Sequence, residues 1–518
     1  MSLSANHENG LAVESLNLDE VRIDPVVALR VPAALALRRE LLPFVLWQGK
    51  VQVACGNPDD TTGLAGVQKN FAEPIVATRA EPLSLRRALQ RTYGGLKPGA
   101  ANLISVMRLG GLNNLAKRPA GSAANTGGGE DLQAAALSEE LLYAAILRQA
   151  SDIHLDPDAE GLRVRFRVDG ALEEIQRLPG SIFQLLTNRF KVLAQMDISE
   201  KRAPQDGGFR HSYGSDGRSV DIRAATLPTK WGERMTLRLL GLQTGELTLE
   251  RLGMAAEHLA RFESALSQPH GMILLTGPTG SGKSTTLYAG LRRLIEREAL
   301  NVITIEDPIE YDIAGVAQVA VDSADKTSFD KALRSLLRHD PDVVMIGEIR
   351  DGETANIAVK SSLTGHLVFS TLHTNSAAGA VVRLADMGVE RYLIASTLRL
   401  AIAQRLVRRL CRRCRIPREL TEAEARTLGR LDAAGQRVFD PGGCLYCAGR
   451  GLVGRLALFE FLPLDESWSA LVANGVNETE LTAEMRRRQL PTLLDDALAK
   501  LASGDTSFPE VRNAVAVW

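Results

Sequence analysis

The sequence predicts a multidomain α/β chain whose principal domain is a doubly wound, mostly parallel sheet. Three observations carry this. The apolar run Met272-Ile273-Leu274-Leu275 leads into Gly277-Pro278-Thr279-Gly280-Ser281-Gly282-Lys283-Ser284-Thr285, a phosphate-loop pattern, and then into a helix-favouring stretch, 286–294. Further apolar runs at 301–305, 343–346 and 367–370 each end in a polar cluster, the edge at which such sheets hold ligands. At 518 residues the chain also exceeds one ordinary core, so two to four domains are expected.

Composition narrows the class. Lys and Arg total 61 against 62 Asp and Glu, a net charge of −1, which argues against bulk attraction to nucleic acid. No apolar window reaches the length needed to cross a bilayer. The first thirty residues, with Glu8, Glu14, Asp19, Glu20 and Asp24, lack the basic-then-apolar layout of a secretory signal. A cytoplasmic chain with at most peripheral membrane association is therefore expected.

Residues 24–95 read as a small α/β docking module: a helix over 35–43, a strand over 51–55 followed by the turn 56–60, and a closing helix over 83–93. Cys55 is expected to be a buried apolar side chain. Residues 96–131 are rich in Gly, Ala, Asn and Pro and read as a flexible linker.

Residues 132–245 form a second α/β unit. A helix over 132–150 precedes the alternating strand Leu162-Arg163-Val164-Arg165-Phe166-Arg167-Val168, and Asp169-Gly170 turns it into a hairpin. A helix follows over 183–196, then strands over 219–224 and 235–240 separated by 226–232. Arg165, Arg167, Arg202, Arg210, Arg223, Arg234 and Arg238 recur in this unit. Singly they read as solvated faces; together they are cations that a neighbouring domain can bring to a γ-phosphate.

Residues 246–518 hold the chemistry. The glycines of the loop let backbone N–H groups turn inward on phosphate oxygens, Lys283 reaches the β- and γ-phosphates, and the Ser284 hydroxyl takes a magnesium position. Glu306, at the end of the 301–305 strand, is placed to orient or deprotonate an attacking water. After 343–346 comes Gly347, where the generic pattern has a magnesium-binding Asp, and then Glu348, which would hold magnesium through water or help position the nucleophile. His366 and His373 flank the 367–370 strand, either able to hydrogen-bond a phosphate.

Cys411-Arg412-Arg413-Cys414 and Cys444-Leu445-Tyr446-Cys447 are two C-x2-C knuckles separated by a polar insertion, 419–436, read as helical. Four thiolates so spaced complete a closed, structural zinc site. Arg405, Arg408, Arg409, Arg412, Arg413 and Arg415 surround the first knuckle and read as a solvated helix face, with anionic lipid headgroups or an acidic partner as the alternative. From 460 to 518 the chain reads as helical, with Leu481, Met485, Leu490, Leu493, Leu494 and Leu498 as core.

Taken together, these blocks resemble the secretion ATPases that power type II secretion and type IV pilus assembly. The loop 277–285, Ile305-Glu306-Asp307-Pro308, the segment 340–351, Thr364-Gly365-His366, Ser370-Thr371-Leu372-His373-Thr374-Asn375 and the paired cysteines occur in that family's order. Upstream, Ala150-Ser151-Asp152-Ile153-His154, Pro204-Gln205-Asp206-Gly207 and Gly232-Glu233-Arg234 also match. The resemblance implies a RecA-like P-loop ATPase domain, a PAS-like α/β domain before it, and a tetracysteine zinc insertion spanning 408–455. It implies ATP, Mg2+ and Zn2+ as cofactors, and a homohexamer on the cytoplasmic face of the inner membrane. An inner-membrane adaptor would bind the N-terminal module and a platform protein would receive the motion. The Gly347-Glu348 arrangement is the family's own pattern, with Glu306 as the base. Arg223 and Arg238, and less strongly Arg167, match arginines that reach the γ-phosphate. The Arg-Leu-Gly motif by which some relatives bind a cyclic dinucleotide is not in its expected place. A nucleic-acid motor with a similar nucleotide domain is the competing reading, disfavoured by balanced charge and scarce aromatics.

Overall fold

The computed structural model describes residues 15–94, 127–213, 217–241, 248–321 and 329–515. The chain divides into two compact units, one of Thr244–Pro441 with Leu452–Trp518, the other of the residues before Thr244 with Gly442–Gly451.

In the first unit, β1 (Leu41–Trp47), β2 (Lys50–Cys55) and β3 (Ile75–Arg79) form a sheet in that order, β1 antiparallel and β3 parallel to β2. Gln48 and Gly49 both adopt positive φ (49° and 74°), the two-residue turn that matches strand twist. The helix expected over 35–43 is instead Ala33–Arg39, and Leu41–Pro43 belong to β1. Glu40, left-handed at φ 50°, ends the helix and lets the following apolar run enter the sheet. Cys55 is buried in this module's core.

The same unit holds a six-stranded antiparallel sheet in the order β6-β5-β4-β9-β8-β7. Its strands are β4 (Asp152–Asp158), β5 (Gly161–Val168), β6 (Ala171–Leu178), β7 (Gln205–Tyr213), β8 (Arg218–Thr229) and β9 (Gly232–Leu240). Asp169 and Gly170, at φ 51° and 84°, form the expected turn. The helix Gly180–Leu193 packs Leu186 and Phe190 onto Phe166 and Leu237. Strand β7 was not expected. The separator expected over 226–232 is mostly strand, with Leu227 opposite Arg234 and Thr229 opposite Gly232. Pro228 is tolerated because β7 pairs with β8 only as far as Thr226, leaving it no ladder bond to lose on that side. The linker expected over 96–131 lies outside the described residues except for its end, where the helix Gly127–Leu147 begins earlier than the expected 132.

The second unit is built on a seven-stranded sheet in the order β12-β11-β13-β14-β10-β15-β18. Its strands are β10 (Gly271–Thr276), β11 (Val302–Glu306), β12 (Val316–Ala320), β13 (Val343–Ile346), β14 (Leu367–Leu372), β15 (Leu398–Leu410) and β18 (Leu452–Pro463). All pairs are parallel except β15 with β18. Met272 and Leu274 of β10 enter one apolar layer and Ile273 and Leu275 the other, so helices cover both faces of the sheet as a doubly wound fold requires.

Strand β15 departs most from expectation. The first half of the arginine-rich stretch read as a helix face, with Arg405, Arg408 and Arg409, lies on a thirteen-residue strand beside β10 in which Leu400, Ile402 and Val407 are buried. The polar insertion is likewise only partly helical. A capped helix, Glu422–Thr427, is flanked by β16 (Ile416–Glu419) and β17 (Arg437–Asp440), which pair antiparallel. Among the described residues four helices follow β18, and Leu481, Met485, Leu490 and Leu498 are buried as expected while Leu493 and Leu494 are only partly so. Among the described residues, no helix is long and apolar enough to cross a membrane.

Candidate nucleotide site and cysteine centre

The phosphate loop joins β10, buried along its whole length, to the helix Lys283–Arg297. Two glycines are required by their surroundings. At Gly277 (φ 148°) a Cβ would lie 2.4 Å from the Gln404 carbonyl oxygen, and at Gly282 (φ 87°) 2.9 Å from Gln404 Nε2. Gln404, on β15 and 1% exposed, holds the loop from behind: Nε2 donates to Ser281 O at 2.9 Å and Oε1 accepts from Thr286 Oγ1 at 2.9 Å. The sequence reading missed Gln404, whose loop partner is 123 positions away.

Lys283 is buried and its Nζ donates to the carbonyl oxygens of Gly277 (2.8 Å) and Pro278 (3.2 Å). Burial, opposed by Glu348 and reinforced by Arg405, pulls the ammonium down to about 8. Ser284 is half-buried in the first turn of the same helix.

Glu306 closes β11 at 3% exposure. Its Oε1 accepts from Thr304 Oγ1 (2.8 Å) and Gln318 Nε2 (3.1 Å), and its Oε2 from the Tyr288 hydroxyl. Gly347 follows β13 with its N–H on Ile305 O at 2.8 Å. A Cβ there would lie 3.2 Å from that oxygen and 3.4 Å from the Glu306 Cα, a tight fit for any side chain. Glu348 is more open; its Oε2 lies 3.0 Å from His373 Nε2, and Arg350 donates to its Oε1. Burial raises the Glu348 carboxyl, but the bonds from His373 and Arg350 outweigh it and the net shift is downward. The His373 turn is tied to the phosphate loop by Thr276, whose hydroxyl oxygen accepts from Thr374 N at 2.8 Å. His366 is spent on structure, its Nδ1 lying 2.8 Å from Ser361 O.

The arginines of the six-stranded sheet divide. Arg165 and Arg234 pair with Asp156 and Arg210 with Asp221, each at 2.8 Å. Arg238 lies opposite Asp152 and Arg223 opposite Arg238 across neighbouring strands. Arg238 Nε is 3.0 Å from Asp152 Oδ1 and Arg167 Nε 3.7 Å from Asp152 Oδ2. Arg223 is exposed and, among the described residues, carries no ion pair.

The arginines expected around the first knuckle are not one face. Arg405 donates to Asn375 O and Oδ1, and its Nη1 lies 3.1 Å from where a Cβ on Gly277 would be. Arg408 pairs with Glu510 at 2.5 Å, Arg412 with Asp505 at 3.4 Å, and Arg415 donates to the carbonyls of Ser503 and Gly504.

The four knuckle cysteines do come together: Cys411, Cys414, Cys444 and Cys447 have sulfurs within 4.8 Å of one another. Zinc–sulfur bonds of about 2.3 Å at tetrahedral angles require sulfurs about 3.8 Å apart. Cys444 and Cys447 meet this at 3.8 Å. The N–H groups of Cys444 (3.3 Å) and Gly451 (3.1 Å) donate to Cys447 Sγ.

The chain is similar to known proteins in both sequence and fold. The family described as "Type II/IV secretion system protein" matches residues 130–513, and an MshEN domain matches 10–99. The chain is 46% identical over 384 residues to the type II secretion system protein E of Dickeya dadantii, covering 74% of this chain and 76% of that protein. It is 37% identical over 511 residues to the type IV pilus assembly ATPase PilB of Myxococcus xanthus, covering 96% and 88%. The Legionella pneumophila ATPase DotB shares the fold, with a TM-score of 0.53 at 23% identity over 73% of this chain and 94% of that one.

Proposed function

The chain belongs to the type II/IV secretion system protein family, and on that premise we propose that it is a ring motor that turns ATP hydrolysis into pilus or pseudopilus assembly. The supporting observation is the convergence of the phosphate loop, Lys283 and the Glu348–His373 pair on one edge of the parallel sheet. In this reading loop N–H groups cradle the phosphates and Lys283 leaves its carbonyl partners for the β- and γ-phosphate oxygens. Glu306 orients and deprotonates the attacking water, while His373 and Glu348 bracket the γ-phosphate. The hydroxyl of Ser284 and the carboxylate of Glu348 are hard oxygen donors suited to magnesium, which when bound neutralises phosphate charge.

Arg223 and Arg238 complete the site when the preceding domain closes, so hydrolysis is read out as domain motion. That domain spans 132–245, after a docking module at 24–95, and the ATPase domain spans 246–518 with the insertion at 408–455. The four cysteines hold a structural zinc without an open position. The assembly is a homohexamer on the cytoplasmic face of the inner membrane, its N-terminal module on an inner-membrane adaptor and its motion delivered to a platform protein. Anionic lipid near the arginine cluster is a further part of this reading, in which ion pairs and carbonyls already engage Arg408, Arg412 and Arg415.

The test is steady-state ATP hydrolysis by the purified chain, with and without DNA. Turnover abolished by Lys283→Ala and indifferent to DNA supports the secretion motor. Strong stimulation by DNA would favour the nucleic-acid motor instead.

A further inference from the structure

Glu306 is enclosed by donors on three different elements, and they do not load its two oxygens equally. Thr304 Oγ1 and Gln318 Nε2 both donate to Oε1. A carboxylate oxygen has two lone pairs, so Oε1 is filled and only Oε2 has room for a further donor. The single donor already on Oε2 is the Tyr288 hydroxyl.

Tyr288 has little freedom to point elsewhere. It is fully buried, its ring stands edge-on to Tyr311 with centroids 4.4 Å apart, and its hydroxyl oxygen accepts from Glu310 N at 3.3 Å. With the acceptor side so used, its proton is directed at Glu306. Burial and the neighbouring carboxylate push the phenol above its ordinary range, keeping it a donor. Tyr288 also sits on the helix that Lys283 begins, about 1.4 turns further on. The phosphate end and the carboxylate's partner therefore ride on one rigid element.

We propose that Tyr288 is a positioning residue for hydrolysis, whose hydroxyl holds Oε2 of Glu306, the oxygen left open to take the water proton, in place and sets its basicity. In that step the water oxygen bonds to the γ-phosphorus. The bond from that phosphorus to the β–γ bridging oxygen breaks with its electron pair going to ADP, and the water proton passes to Oε2. The inference rests on the reading of Glu306 as the base.

Tyr288→Phe removes the donor and keeps the ring. A carboxylate that loses a donor is protonated more readily, so the acid limb of the kcat–pH profile should move up by roughly one unit. KM for ATP should change little. Replacing Tyr288 with 3-fluorotyrosine, a stronger donor of nearly the same size, should move the limb down, which keeps the test decisive where the phenylalanine variant folds poorly. An unmoved limb in both variants overturns the proposal. Glu306→Gln is measured alongside: retained hydrolysis there would overturn the base assignment itself, whereas abolished hydrolysis with unmoved limbs overturns only the role of Tyr288.

Discussion

His373 Nε2 and Glu348 Oε2 lie 3.0 Å apart although 25 positions separate them, each at the end of a neighbouring strand. Strand β13 ends before Glu348 and β14 before His373, and Thr371 Oγ1 donating to Gly347 O at 2.7 Å locks the two ends together. His373→Ala should lower kcat by about a hundred- to thousandfold, the range for one charge-stabilising donor, and should raise the Glu348 carboxyl by removing a bond that lowers it. Carbonyl-edited infrared or NMR titration of Glu348 checks the second effect.

Lys283 gives a pH dependence of definite sign. Its folded-state pKa is depressed to about 8, so the ammonium is lost as pH rises through that value. Phosphates favour the ammonium, so nucleotide binding should take up about half a proton near pH 8, close to one near pH 9 and almost none below about pH 7. Calorimetry of ATP binding in buffers of differing ionisation enthalpy measures this uptake.

Glu140 offers a stability test away from the site. Burial raises its carboxyl to about 7, and its Oε1 has no hydrogen-bond partner. Because the folded value lies above the unfolded one, the neutral acid is favoured on folding. This stabilisation is complete below about pH 4 and is lost as pH rises toward 7. Glu140→Gln should therefore stabilise the chain by roughly 1–3 kcal/mol above pH 7 and flatten the dependence between pH 4 and 7. Denaturant melts at several pH values check it.

The cysteine centre predicts about one zinc per chain by metal analysis. Cys447→Ser should remove the metal and destabilise β16 and β17, because Cys447 is fully buried and takes two backbone N–H bonds besides. Hydrogen exchange in β16 and β17 reports the loss.

How far the sequence reading carried depended on whether a feature was local. The phosphate loop, the Asp169-Gly170 turn and the two knuckles announce themselves because all their determinants lie within a few residues. Strand β15 did not: its run of arginines has the look of a solvated helix face, and only pairing with β10 and β18 makes it a strand. The same misreading placed Arg405 with the knuckle although it lies behind Gly277. Gln404 and Gln318 were invisible for a related reason. Each serves a loop or carboxylate through contacts that exist only after the sheet order is set. Glu306 was legible as a strand-end carboxylate, but its burial under Tyr288 was not, since that bond spans a loop and a helix.

The most direct test of the central claim, that a nucleotide held by one domain is acted on by arginines of another, is the kinetics of Arg223→Ala and Arg238→Ala. Asp152 already balances Arg238, whereas Arg223 is exposed without an ion pair among the described residues, so Arg223 should show the larger effect. With ATP titrated at fixed magnesium, Arg223→Ala should lower kcat by tenfold or more, roughly 1.4 kcal/mol, and leave KM within about threefold. A variant that loses affinity and keeps its kcat would contradict the account.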